Sequence, residues 1–163
     1  KLRPAFVKDG TVTAATSSSI SDGAAAMVLM RESTAKELGC TPIARIVGHT
    51  THSQEPQWFT TAPVGAIEKL YAKTGWNSKT TDLYEINEAF AVVTMAAMRE
   101  HDLPHDKVNV HGGATALGHP IGCSGARLMV TLLGALRKTG GKRGIATLCI
   151  DGGEAVAVAL EMV

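Results

Sequence analysis

Three short segments of this 163-residue chain carry side chains that could do chemistry. The first, Asn87-Glu88-Ala89-Phe90-Ala91, offers a hydrogen-bond donor in Asn87. The second is glycine-rich, runs from Gly112 to Arg127, and holds His119 between Gly118 and Pro120. The third, Cys149-Ile150-Asp151-Gly152-Gly153, offers a thiol. A donor, a general base and a thiol in one place suit thiol-based acyl chemistry, or removal of a proton beside a carbonyl. Each segment also has a plainer explanation. A lone cysteine at a strand end is usually a small buried hydrophobe. An asparagine before a helix is often only its cap, and a glycine-rich stretch is often a packing turn. His119, flanked by glycine and proline, is an odd core histidine. Three such segments, each at a strand end, favour the functional reading.

Ligands gather at the carboxyl ends of parallel strands, so strands must precede these segments. Leu83 to Ile86 reads as a short strand before Asn87, Lys107 to Val110 as one before the glycine-rich loop, and Ile145 to Ile150 as an apolar one that carries Cys149. Ile43 to His49 alternates as an earlier strand, and Glu154 to Glu161 as a last one, antiparallel to its neighbour. Helices are predicted over Pro63 to Lys73, Glu88 to Glu100 and about Ser124 to Lys138, from apolar residues at helical spacing. From residue 42 the order is βαβαβαββ, which implies an α/β fold with a mostly parallel sheet covered by helices. Residues 1–41 read as the end of a similar unit. They hold a strand over Thr11 to Thr16, a serine-rich loop, a strand over Ala24 to Met30 buried on both faces, and a helix over Glu32 to Leu38.

Composition excludes several classes. Apolar residues are 45% and charged residues 19%, which is globular rather than disordered. Lys+Arg is 16 against Asp+Glu 15, so no basic excess points to nucleic acid or to a membrane surface. The longest apolar run, Ala24 to Met30, is far short of the ~20 residues of a membrane span. Three cysteines, Cys40, Cys123 and Cys149, are too few for a disulfide framework and point to a reducing cytoplasm. His49 and His52 have ligand-like spacing but no cysteine or carboxylate cluster beside them, so no metal site is expected. Lysine, not methionine, stands at position 1, as when something has been removed or the sequence is part of a longer chain.

The three segments together resemble the signatures of the thiolase family. Gly112 to Arg127 is similar to its glycine-rich signature, Asn87 to Ala91 to its N-E-A-F-A segment, and Cys149 onward to its C-x-G-G-G segment. Leu2 to Phe6 and Ser21 to Ala26 are similar to it as well. The resemblance covers the whole chain but only the C-terminal two-fifths or so of a thiolase. It implies a thiolase-like fold, with 1–41 the end of the N-terminal domain and 42–163 the C-terminal domain. It also implies condensation or thiolysis of β-ketoacyl-CoA thioesters, of the acetyl-CoA C-acetyltransferase or 3-ketoacyl-CoA thiolase kind, with acyl-CoA and CoA as substrates and no separate cofactor. His119 would activate a nucleophilic cysteine and contact the thioester oxygen, Asn87 would hold a water in the same oxyanion hole, and Cys149 would move the α-proton of the second acyl-CoA. Ser18 matches a position beside the pantetheine arm. Phe59 falls where the family often has a methionine lining the acyl pocket, and Phe90 packs beside the site.

Two departures stand against this. The segment around the family's acylated cysteine is missing, and Cys40 is a poor substitute, so the chain alone is expected to be inactive and to need its N-terminal half. The turn after Cys149 has Asp151 where the family has glycine. Its backbone N–H can still serve an oxyanion hole, but its carboxylate opposes both a thiolate and an enolate. Ala155 replaces another family glycine. The competing reading is a non-catalytic thiolase-like module for dimerisation or scaffolding, and a ketosynthase-type relative fits less well. The apolar stripe on 124–138 predicts self-association, hence a homo-oligomer.

Overall fold

The computed structural model describes residues 2–163. Four strands, β1 (Ala44–Ser53), β2 (Leu83–Ile86), β3 (Arg143–Ile150) and β4 (Glu154–Met162), form one sheet in the order β1-β4-β3-β2. Five α-helices accompany them: α1 (Glu32–Glu37), α2 (Ala62–Thr74), α3 (Ala91–Glu100), α4 (Ala114–Leu117) and α5 (Ser124–Thr139). The α/β class expected from the sequence holds. The strand directions need a correction. β2 pairs with β3 in parallel, but β4 pairs antiparallel with both β1 and β3. β1, β2 and β3 therefore run the same way, as their helical crossovers require. Only β4 runs against them, yet it lies between β1 and β3 and makes most of the pairing antiparallel. Alternation of strand and helix fixes direction, not adjacency.

Period-2 alternation divides the sheet into two faces. On one face Tyr84, Ile86, Ile145 and the row Ala155, Ala157 and Ala159 pack with α2 and α3. The alanines carry so little bulk that α2, itself buried through Ala62 and Ala66, lies close on β4. On the other face Leu83, Ala146 and Leu160 pack against Leu128, Leu132 and Leu136 of α5. The stripe predicted on this helix, Ala126, Met129, Val130, Leu133 and Leu136, needs a correction: the buried row is Leu128, Leu132 and Leu136, while Val130 is exposed.

Three predicted strands are not strands. In the 11–16 segment Thr13 makes a single bridge to Pro4, and 14–16 form a short 3-10 turn. The Thr16 hydroxyl accepts the Thr13 N–H at 2.8 Å, a local side-chain bond that competes with any ladder. The 24–30 segment has no strand partner among the described residues, and Val28 and Leu29 are 85% and 66% exposed, not buried on both faces. Residues 105–107 form a 3-10 turn, after which Val108 makes one parallel bridge to Tyr84. Asn109, at φ +48, then turns the chain away from the strand direction. The helix predicted from Glu88 begins only at Ala91, with Phe90 as its N-cap, so Asn87 caps nothing.

The β3–β4 turn depends on Gly153. Its φ is +94, and an added Cβ would strike the Gln54 carbonyl oxygen. The Gly153 carbonyl in turn accepts the Gln54 N–H at 3.0 Å, tying the turn to the end of β1. Gly153→Ala is expected to cost about 1–3 kcal/mol of stability through strain and displacement of that turn, read as a lowered urea midpoint.

Candidate functional site

Because β1, β2 and β3 share a direction, their carboxyl ends, Ser53, Ile86 and Ile150, open on one rim of the sheet. Asn87 follows β2 directly and is 1% exposed. Its backbone N–H donates to the Thr147 carbonyl at 3.0 Å, extending the β2–β3 ladder by one residue. This pins the residue so that its side-chain amide Nδ2 lies 3.3 Å from His119 Nε2. His119 is held at the backbone too, its N–H donating to the Ser19 carbonyl at 2.8 Å. The far nitrogen of the ring, Nδ1, lies 2.6 Å from the Ser124 hydroxyl. The serine-rich segment runs between these loops. The Ser18 N–H and hydroxyl both donate to the Ala89 carbonyl, at 3.0 and 2.9 Å, and Ser17 bridges to Phe90.

Glu88 and Asn109 hold the loops in place. The Asn109 side chain copies a strand neighbour: its Oδ1 accepts the Ile86 N–H at 2.8 Å and its Nδ2 donates to the Ile86 carbonyl at 2.8 Å. That same Nδ2 donates to Glu88 Oε1 at 2.9 Å, while Glu88 Oε2 accepts the Thr115 N–H at 3.1 Å. The carboxylate lies against Gly113, where any Cβ would collide with it. Glu88 thus joins the segment carrying Asn87 to the loop that carries His119.

Cys149 sits at the end of β3, 9% exposed, in the core that Phe59, Ala89 and Phe90 border. Phe59 belongs to the 3-10 turn after β1, and its ring meets Phe90 edge-on with centroids 6.4 Å apart. Burial first, and the Asp151 carboxylate to a lesser degree, push the Cys149 thiol up to about 11, against a backbone hydrogen bond that lowers it. Asp151 itself is exposed in the turn, and its φ is not among the positive values, so the backbone accepts the side chain without strain. Burial also lowers the His119 imidazole pKa, and the Arg127 guanidinium lowers it further against an opposing pull from Asp151. Burial and Arg127 thus favour the neutral ring, the form able to accept a proton.

Behind His119 lies a buried charge pair. Glu85 on β2 is 1% exposed, with the Arg127 guanidinium 3.8 Å away, too far for a hydrogen bond. Burial drives the Glu85 carboxyl up to about 7, Arg127 draws it down, and Glu88 raises it. The structure thus brings Asn87, His119, Ser18 and Phe90 into direct or adjacent contact, and sets Cys149, Phe59 and Asp151 on the same rim. The sequence reading passed over Glu85, Glu88, Asn109 and Ser124. Ser124 carried a signal, since it sits at a helix start five residues after the histidine. Asn109 carried none, because its role depends on a bridge that no periodicity reports. Among the described residues there is no group of three or more His, Cys, Asp or Glu that could hold a metal, and no helix is long and apolar enough to cross a membrane.

Residues 40–162 match the model of the thiolase C-terminal domain, and residues 1–33 that of the thiolase N-terminal domain. Acetyl-CoA acetyltransferase 2 of Arabidopsis thaliana is 53% identical, over 99% of this chain and 40% of its own length. The cytosolic acetyl-CoA acetyltransferase of Mus musculus is 48% identical, over 99% of this chain and 41% of its own. Among solved structures, the Bacillus anthracis acetyl-CoA acetyltransferase aligns with a TM-score of 0.96 at 48% identity, over 99% of this chain and 41% of that one. Human mitochondrial 3-ketoacyl-CoA thiolase in complex with CoA aligns with a TM-score of 0.93 at 42% identity, over 100% of this chain and 41% of that one.

Two tests follow from the site's geometry. Glu88→Gln turns an amide NH2 toward one of the two N–H donors, and is expected to cost about 1–3 kcal/mol in urea unfolding, with loss of the His119–Asn87 contact in NMR. Glu85, whose folded pKa lies above its ordinary value of 4.5, contributes stability below pH 4.5 that is lost as pH rises through about 7. Glu85→Gln is expected to remove that part of the pH dependence of unfolding.

Proposed function

Because the chain belongs to the thiolase family, we propose that it is the C-terminal part of an acyltransferase of the acetyl-CoA C-acetyltransferase type, acting on CoA thioesters without a separate cofactor. The chain spans 40% of the length of the Arabidopsis relative. Residues 1–41 are assigned to the end of the N-terminal domain and 42–163 to the C-terminal domain. The observation that carries the reading is the 3.3 Å approach of Asn87 to His119, on the rim where Cys149 ends β3.

In this reading the nucleophilic cysteine comes from an N-terminal half outside this chain, so the chain alone is inactive. His119 Nε2 takes that thiol's proton, and the thiolate attacks the acyl-CoA carbonyl and releases CoA. Cys149 gives its proton to the departing CoA sulfur and, as the thiolate so formed, removes the α-proton of a second acyl-CoA. The resulting enolate carbon attacks the acyl-enzyme and expels the nucleophilic cysteine, which recovers its proton from His119. His119, together with a water held by Asn87, faces the developing negative oxygen. The Asp151 backbone N–H serves the other oxyanion, Ser18 lies along the pantetheine arm, and Phe59 and Phe90 border the acyl pocket. The exposed 24–30 segment and the open rim fit a chain completed by its N-terminal half and by a second copy, in the cytoplasm. Asp151 favours the alternative, a non-catalytic thiolase-like module for dimerisation or scaffolding, because its charge opposes ionisation of Cys149.

The test joins this chain to the segment of the Bacillus anthracis relative that precedes the matched region and follows thiolysis of acetoacetyl-CoA. Turnover that falls about 10²–10⁴-fold in His119→Ala supports the enzyme, and absence of turnover in both supports the non-catalytic module. In the same protein Asp151→Gly is expected to raise turnover. In the chain itself, alkylation of Cys149 by iodoacetamide is expected to quicken about tenfold per pH unit below its pKa. The midpoint, about 11, is expected to move down in Asp151→Gly.

A further inference from the structure

Ser124 is the first residue of α5, is 0% exposed, and has its hydroxyl oxygen 2.6 Å from His119 Nδ1. That hydroxyl has one hydrogen, and it donates to the Pro120 carbonyl at 3.1 Å, one turn back. The oxygen is then left as an acceptor toward the imidazole, so the proton between them belongs to Nδ1. The opposite edge of the ring gives the same answer. Asn87 Nδ2, a donor, faces Nε2 at 3.3 Å, and a donor there needs a lone pair on the ring. A neutral imidazole carries one N–H, and both contacts place it on Nδ1.

We propose that Ser124 is a positioning residue that fixes His119 as the Nδ1–H tautomer, leaving the Nε2 lone pair facing the site. The tautomer stands on these contacts alone; its use in turnover rests on the acyltransferase reading. With Nε2 unprotonated, His119 takes a thiol proton directly. The imidazolium so formed still donates Nδ1–H to Ser124 and now presents Nε2–H toward an oxyanion. The hydroxyl satisfies both forms without turning the ring. A hydroxyl partner is also neutral. A carboxylate in its place would hold the proton on the ring, whereas here the proton is readily given back.

The Pro120 carbonyl makes the proposal testable. It also accepts the Cys123 and Ser124 N–H groups, at 2.8 and 2.9 Å. Removing the hydroxyl leaves no orphaned backbone group at Pro120 and takes away the imidazole's partner. The full chain, labelled with 15N-histidine, is read by long-range 1H–15N correlation at a pH where His119 is neutral. A single Nδ1–H pattern for His119 is expected, and an Nε2–H pattern would overturn the proposal without bearing on thiolase activity. In Ser124→Ala the single pattern is expected to give way to a mixture of tautomers with a shifted His119 titration midpoint. In Ser124→Thr, which keeps the hydroxyl, the single pattern is expected to persist. An unchanged tautomer and midpoint in Ser124→Ala would assign the serine to helix packing alone. Should Ser124→Ala fail to fold, the pattern of the unaltered chain decides. In the joined protein the same substitution is expected to lower kcat with KM unchanged, and a rise in KM alone would contradict the role in turnover.

Discussion

The Glu88 carboxylate is placed where two loops would otherwise part. One oxygen accepts from Asn109 and the other from the backbone of Thr115. Asn109 in turn closes on both polar groups of Ile86. The chain from β2 and the chain entering α4 are therefore joined by side chains where a longer sheet would have used backbone. Glycine is required at 113 because the carboxylate fills the space of a side chain. The loop that follows carries His119 to within 3.3 Å of Asn87. The contact between those two residues is a result of the clamp, as much as of either side chain.

The sheet performs the coarser positioning. Three strands with a common direction send their following segments to one rim, and the two faces are closed separately by α2 and α3 and by α5. Burial on the first face sets the chemistry of Cys149, whose thiol is held protonated by its surroundings. On the second face the Glu85–Arg127 pair places a positive charge near His119, which adds to burial in lowering the pKa of the ring. The electrostatics of the rim are thus set largely from beneath, by burial and by the Arg127 charge, with Asp151 acting from the turn.

Much of this was legible in the sequence, and the limits have physical reasons. The helices α2 and α5 follow from apolar spacing, and β3 and β4 from an apolar run and alternation about a glycine turn. Asn87, His119 and Cys149 stood out because each closes a strand or sits where a core residue does not belong. The 24–30 segment was misread because apolar content alone does not supply a partner strand. The 11–16 segment was misread because Thr13 and Thr16 bond each other. The insertion of β4 between β1 and β3 left no trace in local pattern, since order within a sheet is a long-range property. Ser124 was hidden among the residues of a glycine-rich signature, where its bond to the ring is visible only in three dimensions.

The position of β4 bears on how the molecule comes to exist. Arg45 on β1 meets Glu161 on β4 across 116 residues of chain, so β1 has no neighbour in the sheet until nearly all of that chain has left the ribosome. Loop closure of that length is slow and comes late. The β2–β3 pair and α5 can assemble first, and β4 then joins β1 to them. Thr50 and Ser53, paired with Ala157 and Glu154, enter the sheet only in that final step. The end of β1 and the Phe59 turn that follows it are thus tied to the rim through the longest-range pairing of the sheet.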